Sequence, residues 1–384
     1  MSEEIIDQII RLCPGVSKDQ VLERLDQEKC KTGGLIGDEA LLRMIAAGFG
    51  CASSVSRLET PSLVIRDLVP GLYDVTVIGR VVATFRLKCF SGGKAGKLAS
   101  VFVADKSGLV RVVLWDDKAD LVESGVLGVG RIVRFAHGYT REVSGGKVEV
   151  HVGDKGVVEI GSEGLRARDY PGILRFSSKI VDVASGVAGR RINVVGSVAR
   201  VFPVSVFDRD DGSKGRVLRF LIWDGSGEVS IVVWDERADE LSGSLGEGDL
   251  VQVVNGRAKK GLGDGFEVNV DGFSYVGPFA LGDEVLRVND LRGYLEVVNV
   301  EGEVVSAPVV REVRVRDGGD LALATFELGD EAGRVVVSAW GVHADVVSLL
   351  CVGDRVVISN ALVKKASGGG YELSTGDDTV FEKA

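Results

Sequence analysis

Three stretches of the chain alternate apolar and other residues with a period of two, and each ends on tryptophan. They are 110–115, 229–234 and 335–340, closing on Trp115, Trp234 and Trp340. A period of two predicts a β-strand, whose successive side chains point to opposite faces. Val110, Val112 and Leu114 share one face of the first stretch; Arg111, Val113 and Trp115 share the other. In the second, Val229, Ile231 and Val233 oppose Ser230, Val232 and Trp234; in the third, Val335, Val337 and Ala339 oppose Val336, Ser338 and Trp340. One face is wholly apolar in every copy and is expected to meet a core. The tryptophan belongs to the mixed face and is expected on the outside of a sheet.

Ten residues before each of these tryptophans stands Asp-x-[Ser/Ala]-Gly: "DKSG", "DGSG" and "DEAG". This is turn chemistry between two alternating runs and predicts a hairpin. Ala-Asp follows each tryptophan four and five residues on, so Asp105–Asp120, Asp224–Asp239 and Asp330–Asp345 align without a gap. Successive copies start 119 and 106 residues apart, which suits a small domain rather than a solenoid unit. Around each block the pattern predicts two strands before the turn, one after it, a brief helix, then two strands joined by a glycine-rich turn ("SGGKVEV", "GDGFEVN", "GGGYELS"). Five strands with a helix between the third and fourth match the oligonucleotide-binding (OB) barrel order. The expected architecture is mainly β, with OB barrels over 62–160, 172–277 and 283–381.

Residues 1–60 read differently. "SKDQ" (17–20) is a capping box that opens a helix, "TGG" (32–34) ends it, and "DEALLRMIAAGFG" predicts a second helix. A small helical module is expected, suited to docking a partner or to packing on the first barrel.

Composition narrows the function. No apolar run is long enough to span a membrane, and the acidic start "MSEEIIDQII" does not resemble a signal peptide. The five cysteines form no C-x-x-C pair, against a zinc ribbon or a disulfide framework. A reducing, cytoplasmic setting is expected. The net charge of −10 opposes nucleic acid as a partner, but it is unevenly spread. Residues 62–160 hold 14 basic against 11 acidic residues, and 278–384 hold 10 against 18. Local potential counts for more than the total. "SGGKAGK" lacks the spacing and the following helix of a phosphate loop. Of the three histidines, His137 and His151 are expected within reach of one another across the fourth and fifth strands, with no third ligand for a metal. No nucleophile–base arrangement stands out, so neither an enzyme nor a cofactor is expected.

The motifs "GKLASVFVADKSGLVRVVLWDDKAD", "FPVSVFDRDDGSKGRV" and "VVREVRVRDGGDLALATFELGDEAG" resemble replication protein A in its archaeal form, the multi-OB single-stranded-DNA-binding family. The resemblance covers about 62–381 and lies in order and spacing. It implies a nucleoid-associated protein that coats and protects single strands in replication, repair and recombination. It also implies base stacking on Trp115, Trp234 and Trp340, on the fourth-strand Phe135, and on the loop residues Phe90 and Phe207. Val253 and Ile358 stand where the second and third copies would carry the fourth-strand aromatic. Trp223 has no counterpart in the other copies and is expected in a core. Phosphate contacts are expected from Arg86, Lys88, Lys94 and Lys97 in the first copy. The second offers Arg209, Lys214, Arg216, Arg219, Lys259 and Lys260, and the third Arg311 and Arg316. Relatives that trimerise use a helix after the last strand; this chain stops at "VFEKA", which implies a monomer. Replication or repair proteins are the expected protein partners, through the N-terminal module or the acidic third barrel. The competing readings are an RNA- or tRNA-binding OB protein and a protein-interaction scaffold.

Overall fold

A computed structural model describes residues 62–91, 96–143, 146–161, 165–183, 189–261, 265–314, 319–331, 333–366 and 370–383. Nearer the N-terminus it describes Ile6, Ile10, 16–32, Leu41, Leu42 and Ile45. The chain divides into two compact units, Met1–Ser62 and Leu63–Ala384.

In the first unit a helix runs Lys18–Thr32. The Ser17 amide donates to Gln20 Oε1 (2.9 Å) and the Gln20 amide to Ser17 Oγ (3.3 Å), so the capping box forms reciprocally. Val21 and Leu25 lie buried with Ile6, Leu41, Leu42 and Ile45. The turn glycines of "TGG" and most of the second expected helix lie outside the described residues.

The second unit is three OB barrels. The first is built from Tyr73–Phe90, Gly96–Ala104, Leu109–Trp115, Ile132–Val143 and Lys147–Val152. Its strands pair in the order 1-2-3-5-4, and strand 4 returns to strand 1, which closes the sheet. The pairing of strands 3 and 5 is parallel and the others are antiparallel. Arg191–Val201, Lys214–Trp223, Glu228–Trp234, Leu250–Lys260 and Phe266–Val270 repeat this closure, as do Val297–Val304, Asp320–Gly329, Arg334–Trp340, Arg355–Lys365 and Tyr371–Ser374. Helices Asp120–Glu123, Glu236–Ser242 and Val342–Val347 join strands 3 and 4.

The repeated residues have local physical roles. Asp105, Asp224 and Asp330 accept the amide of the turn glycine three residues on, at 2.9, 3.2 and 2.9 Å. The other carboxylate oxygen accepts an amide from the segment leading into the barrel: Ile65, Ile180 or Asn289. One aspartate therefore shapes the hairpin and pins the entry segment over it. Ala119 at the start of its helix, and Ala238 and Ala344 within theirs, are fully buried against the barrel, where a larger side chain would push the helix outward. The third-strand parity holds in all three barrels, with the apolar face buried and each tryptophan outside.

The barrels are not beads on a string. One apolar cluster contains Val82, Ala83 and Phe85 of the first barrel, Val195 and Val254 of the second, and the core of the third. Polar bonds reinforce it. The Arg80 guanidinium donates to the carbonyls of Tyr170 (2.8 Å) and Ala167 (2.7 Å), and Gln252 Nε2 donates to Val82 O (3.0 Å). Among the described residues no helix is long and apolar enough to cross a membrane.

Candidate nucleic-acid interface

In the first barrel the outer face carries a continuous row of rings. Phe90, at the end of strand 1, meets Trp115 edge-on with centroids 6.1 Å apart. Trp115 lies against His151 of strand 5 (6.0 Å, 23° between planes), and His151 lies against Tyr139 of strand 4 (5.2 Å, 19°). Arg141 caps the row 5.2 Å from the Tyr139 centroid. The indole Nε1–H of Trp115 donates to His151 Nδ1 at 3.2 Å. Cys89, Phe90, Ser91, Gly96, Lys97 and Asp116 line an open hollow of about 520 Å³ at one end of this row.

The second barrel repeats the arrangement in part. Phe207, on a short strand Ser205–Asp208, meets Trp234 edge-on at 5.9 Å, and Arg209 lies 5.8 Å from the Phe207 ring. The Trp234 Nε1–H donates to Asn269 Oδ1 at 3.1 Å. Both phenylalanines are more than a third exposed. Each sits across its strand from a glycine, Phe90 from Gly96 and Phe207 from Gly215. In the third barrel the corresponding cross-strand pair is Val313 and Leu321, so Trp340 has no phenylalanine beside it there.

Phe135 is a correction. Its side chain is 0% exposed and belongs to the first barrel's core. The cause is a β-bulge. His137 has φ +56°, and the pairing with strand 1 slips between Val75–Gly138 and Val77–Phe135. Parity reverses across the bulge, so Phe135 faces in and Tyr139 faces out. Asn255 and Asn360 hold the same left-handed backbone in the other barrels, and Val253 and Ile358 before them are likewise buried. Trp223 is the opposite correction: it is 40% exposed on the outer side of its strand. His137 bonds Asp74 (2.6 Å) rather than approaching His151.

The basic residues fall into two groups. Several are held by carboxylates: Lys97 by Asp120, Lys214 by Asp208, Arg216 by Asp239, and Arg209 by Asp235. The Asp120 hydrogen bond raises the Lys97 ammonium above its ordinary range, and the Arg209 bond lowers the Asp235 carboxyl. Arg86 reaches across to the second barrel's helix, where it pairs with Glu236 and Glu240. These exposed pairs run from one barrel to the other. Lys88, Lys259, Lys260 and Arg311 are exposed, and Arg219 is half-buried. Lys88 and Arg111 of the first barrel and Arg191 of the second each lie within 6.0 Å of the Phe273 ring centroid. Phe273 thus bridges the two barrels through a cation–π cluster. Lys94 and Arg316 lie outside the described residues. Among the described residues no group of three His, Cys, Asp or Glu is placed to hold a metal.

A family model described as an OB-fold nucleic acid binding domain matches residues 192–275, within the second barrel. Replication factor A of Methanothermobacter thermautotrophicus is 25% identical over 379 residues, which is 95% of this chain and 46% of that protein. The chain is thus similar to an archaeal replication factor A along nearly its whole length. The single-stranded DNA binding protein Ssb of Saccharolobus solfataricus is 32% identical over 98 residues, 26% of this chain and 63% of that one. The chain thus spans about half the length of the first relative and under two thirds of the second. A solved replication protein A heterotrimer bound to ssDNA aligns at 12% identity with a TM-score of 0.43, over 84% of this chain and 96% of that one.

Sequence patterning missed Tyr139, His151, Asn269 and the two glycines. Tyr139 was visible as an aromatic four residues after Phe135, but simple alternation puts both on one face. His151 and Asn269 are found only through the parallel register that sets Val113 beside His151 and Val232 beside Asn269. A single-sequence pattern carries no such long-range register.

Proposed function

We infer that the protein binds single-stranded DNA along the outer faces of its first two barrels and so protects exposed strands in replication, repair and recombination. The observation that carries this reading is the repeated Phe–Trp pair. Two barrels hold a strand phenylalanine edge-on to a third-strand tryptophan at 6.1 and 5.9 Å, half-exposed, beside cationic residues. Paired rings on the outside of a sheet offer faces to bases of any identity, and stacking of this kind is worth about 1–3 kcal/mol per base. Lys88, Lys259 and Lys260 supply unneutralised charge for the phosphates. The ion pairs of Lys97, Arg209 and Arg216 are exposed, and such pairs contribute little, so a phosphate can displace the carboxylate. The third barrel, with Val313 and Leu321 in place of the phenylalanine and glycine, contributes less.

The protein acts in the cytoplasm on this reading. The N-terminal unit and the acidic third barrel are the surfaces for replication or repair proteins. Fluorescence titration with oligo-dT, a DNA duplex and a structured RNA tests the function. Preference for oligo-dT is the expected result. Tighter binding to structured RNA would assign the barrels to RNA, and no binding to any of the three would leave a protein scaffold.

A further inference from the structure

The two tryptophans of the interface are each held by a side chain from the same place in the barrel. Trp115 donates its indole N–H to His151 Nδ1, and Trp234 donates its own to Asn269 Oδ1. The two acceptors are different residue types at one register position. In the parallel pairing of strands 3 and 5, His151 stands beside Val113 and Asn269 beside Val232, each two residues before its tryptophan. The third barrel has Ser374 at that position, beside Ser338. Its short hydroxyl is buried with no hydrogen-bond partner among the described residues. So the first two barrels place an acceptor under the indole and the third does not. Those are also the two barrels with a Phe–Trp pair.

We propose that His151 and Asn269 are positioning residues for strand binding, each fixing the plane of its tryptophan through the indole N–H. This rests on the function proposed above. A half-exposed indole without that bond rotates about two side-chain torsions, and a base then stacks on it only after that freedom is lost. Held in place, the ring offers its face before the strand arrives.

The first barrel's acceptor is itself held by its neighbours. His151 accepts at Nδ1, so its ring proton sits on Nε2, which lies 3.7 Å from Glu149 Oε2. The Glu149 carboxyl is held below its ordinary range, first by His151 and then by Arg111, which pairs with it at 2.8 Å. The other groups facing the imidazole are Trp115 of strand 3 and Tyr139 of strand 4, with Arg141 beyond Tyr139.

The test uses the full chain and three proteins: wild type, His151→Asn and His151→Leu. Asparagine reproduces the second barrel's acceptor, and leucine fills the space without one. At pH 8, H151L should bind oligo-dT roughly three- to tenfold more weakly than wild type, the range set by one hydrogen bond of ordinary strength, while H151N stays within about twofold. The Trp115 indole N–H, followed by NMR without DNA, should exchange with solvent faster in H151L than in wild type or H151N. Equal affinity of H151L and wild type would overturn the proposal. So would indole exchange that is equal in all three proteins. Wild-type protein that binds no strand at pH 8 would instead defeat the function itself, a different outcome from failure of the positioning role. Circular dichroism on each variant separates misfolding from lost positioning.

Discussion

A β-carbon on Gly96 would stand 2.6 Å from Cζ of Phe90, so the phenylalanine can lie over that position only because it is glycine. Phe207 covers Gly215 more closely still. Both rings keep their edge-on contact with tryptophan through this absence of a side chain. Gly215→Ala should therefore swing Phe207 off Trp234 and weaken binding to oligo-dT, by up to about 1–3 kcal/mol, the stacking contribution of one base. The melting temperature should change little, since Phe207 is exposed and no core contact is lost. Affinity equal to wild type would show that the Phe–Gly contact does not set the aromatic site.

The two classes of cation predict different salt behaviour. Binding that releases counterions weakens with salt by a slope of roughly 0.7 per phosphate contacted on single strands. Lys259→Ala with Lys260→Ala should reduce that slope, because both ammonium groups face solvent beside strand 4 of the second barrel. Arg86→Ala should leave the slope unchanged, since that guanidinium is shared by two carboxylates, Glu236 and Glu240, where Lys97, Arg209 and Arg216 each pair with one. A reduced slope in the arginine variant would return Arg86 to the phosphate contacts.

How far the chain could be read from its residues depends on the range of the physics involved. Alternation along Val110–Trp115 reports which way side chains point within one strand, and that reading holds for all three tryptophans. It breaks at His137, where one left-handed residue exchanges the faces and buries Phe135. Histidine and asparagine both tolerate a positive φ, but nothing in the alternation of the fourth strands marks His137, Asn255 or Asn360 as adopting it. The charge of Arg86 read as a phosphate contact because its partners, Glu236 and Glu240, are some 150 positions away. The tandem pattern likewise suggested three separate barrels. Their joint apolar cluster depends on Val82, Val195 and Val254, which look like any other strand valines.

That shared interface also holds a buried carboxylate. Glu284 accepts a hydrogen bond from the Gly172 amide, with Arg80 and Arg175 nearby. Burial pushes its carboxyl up to about 7 from an ordinary 4.5, against the pull of the Gly172 amide and Arg80. Between those values the unfolded chain has released this proton and the folded one keeps it. The folded state then binds more protons, so this group's contribution to stability falls as pH rises from about 4.5 to 7. Glu284→Gln retains an acceptor for Gly172 and removes the titration. Its melting temperature should gain on wild type as pH rises through that window. A difference between the two proteins that is constant with pH would contradict this assignment.

The central claim is that Trp115 and Trp234 are recognition residues on the outside of their barrels. The double variant Trp115→Ala with Trp234→Ala, titrated with oligo-dT and melted under the same conditions, tests it most directly. The account predicts a loss of binding of about 2–6 kcal/mol if the per-base contributions add, a much smaller loss from Trp340→Ala, and a nearly unchanged melting temperature because no core cavity opens. A buried tryptophan would behave in the opposite way, costing about 3–5 kcal/mol of folding stability on truncation. A large fall in melting temperature with near-normal affinity in the folded fraction would contradict the account and leave any strand contacts to the basic loops alone.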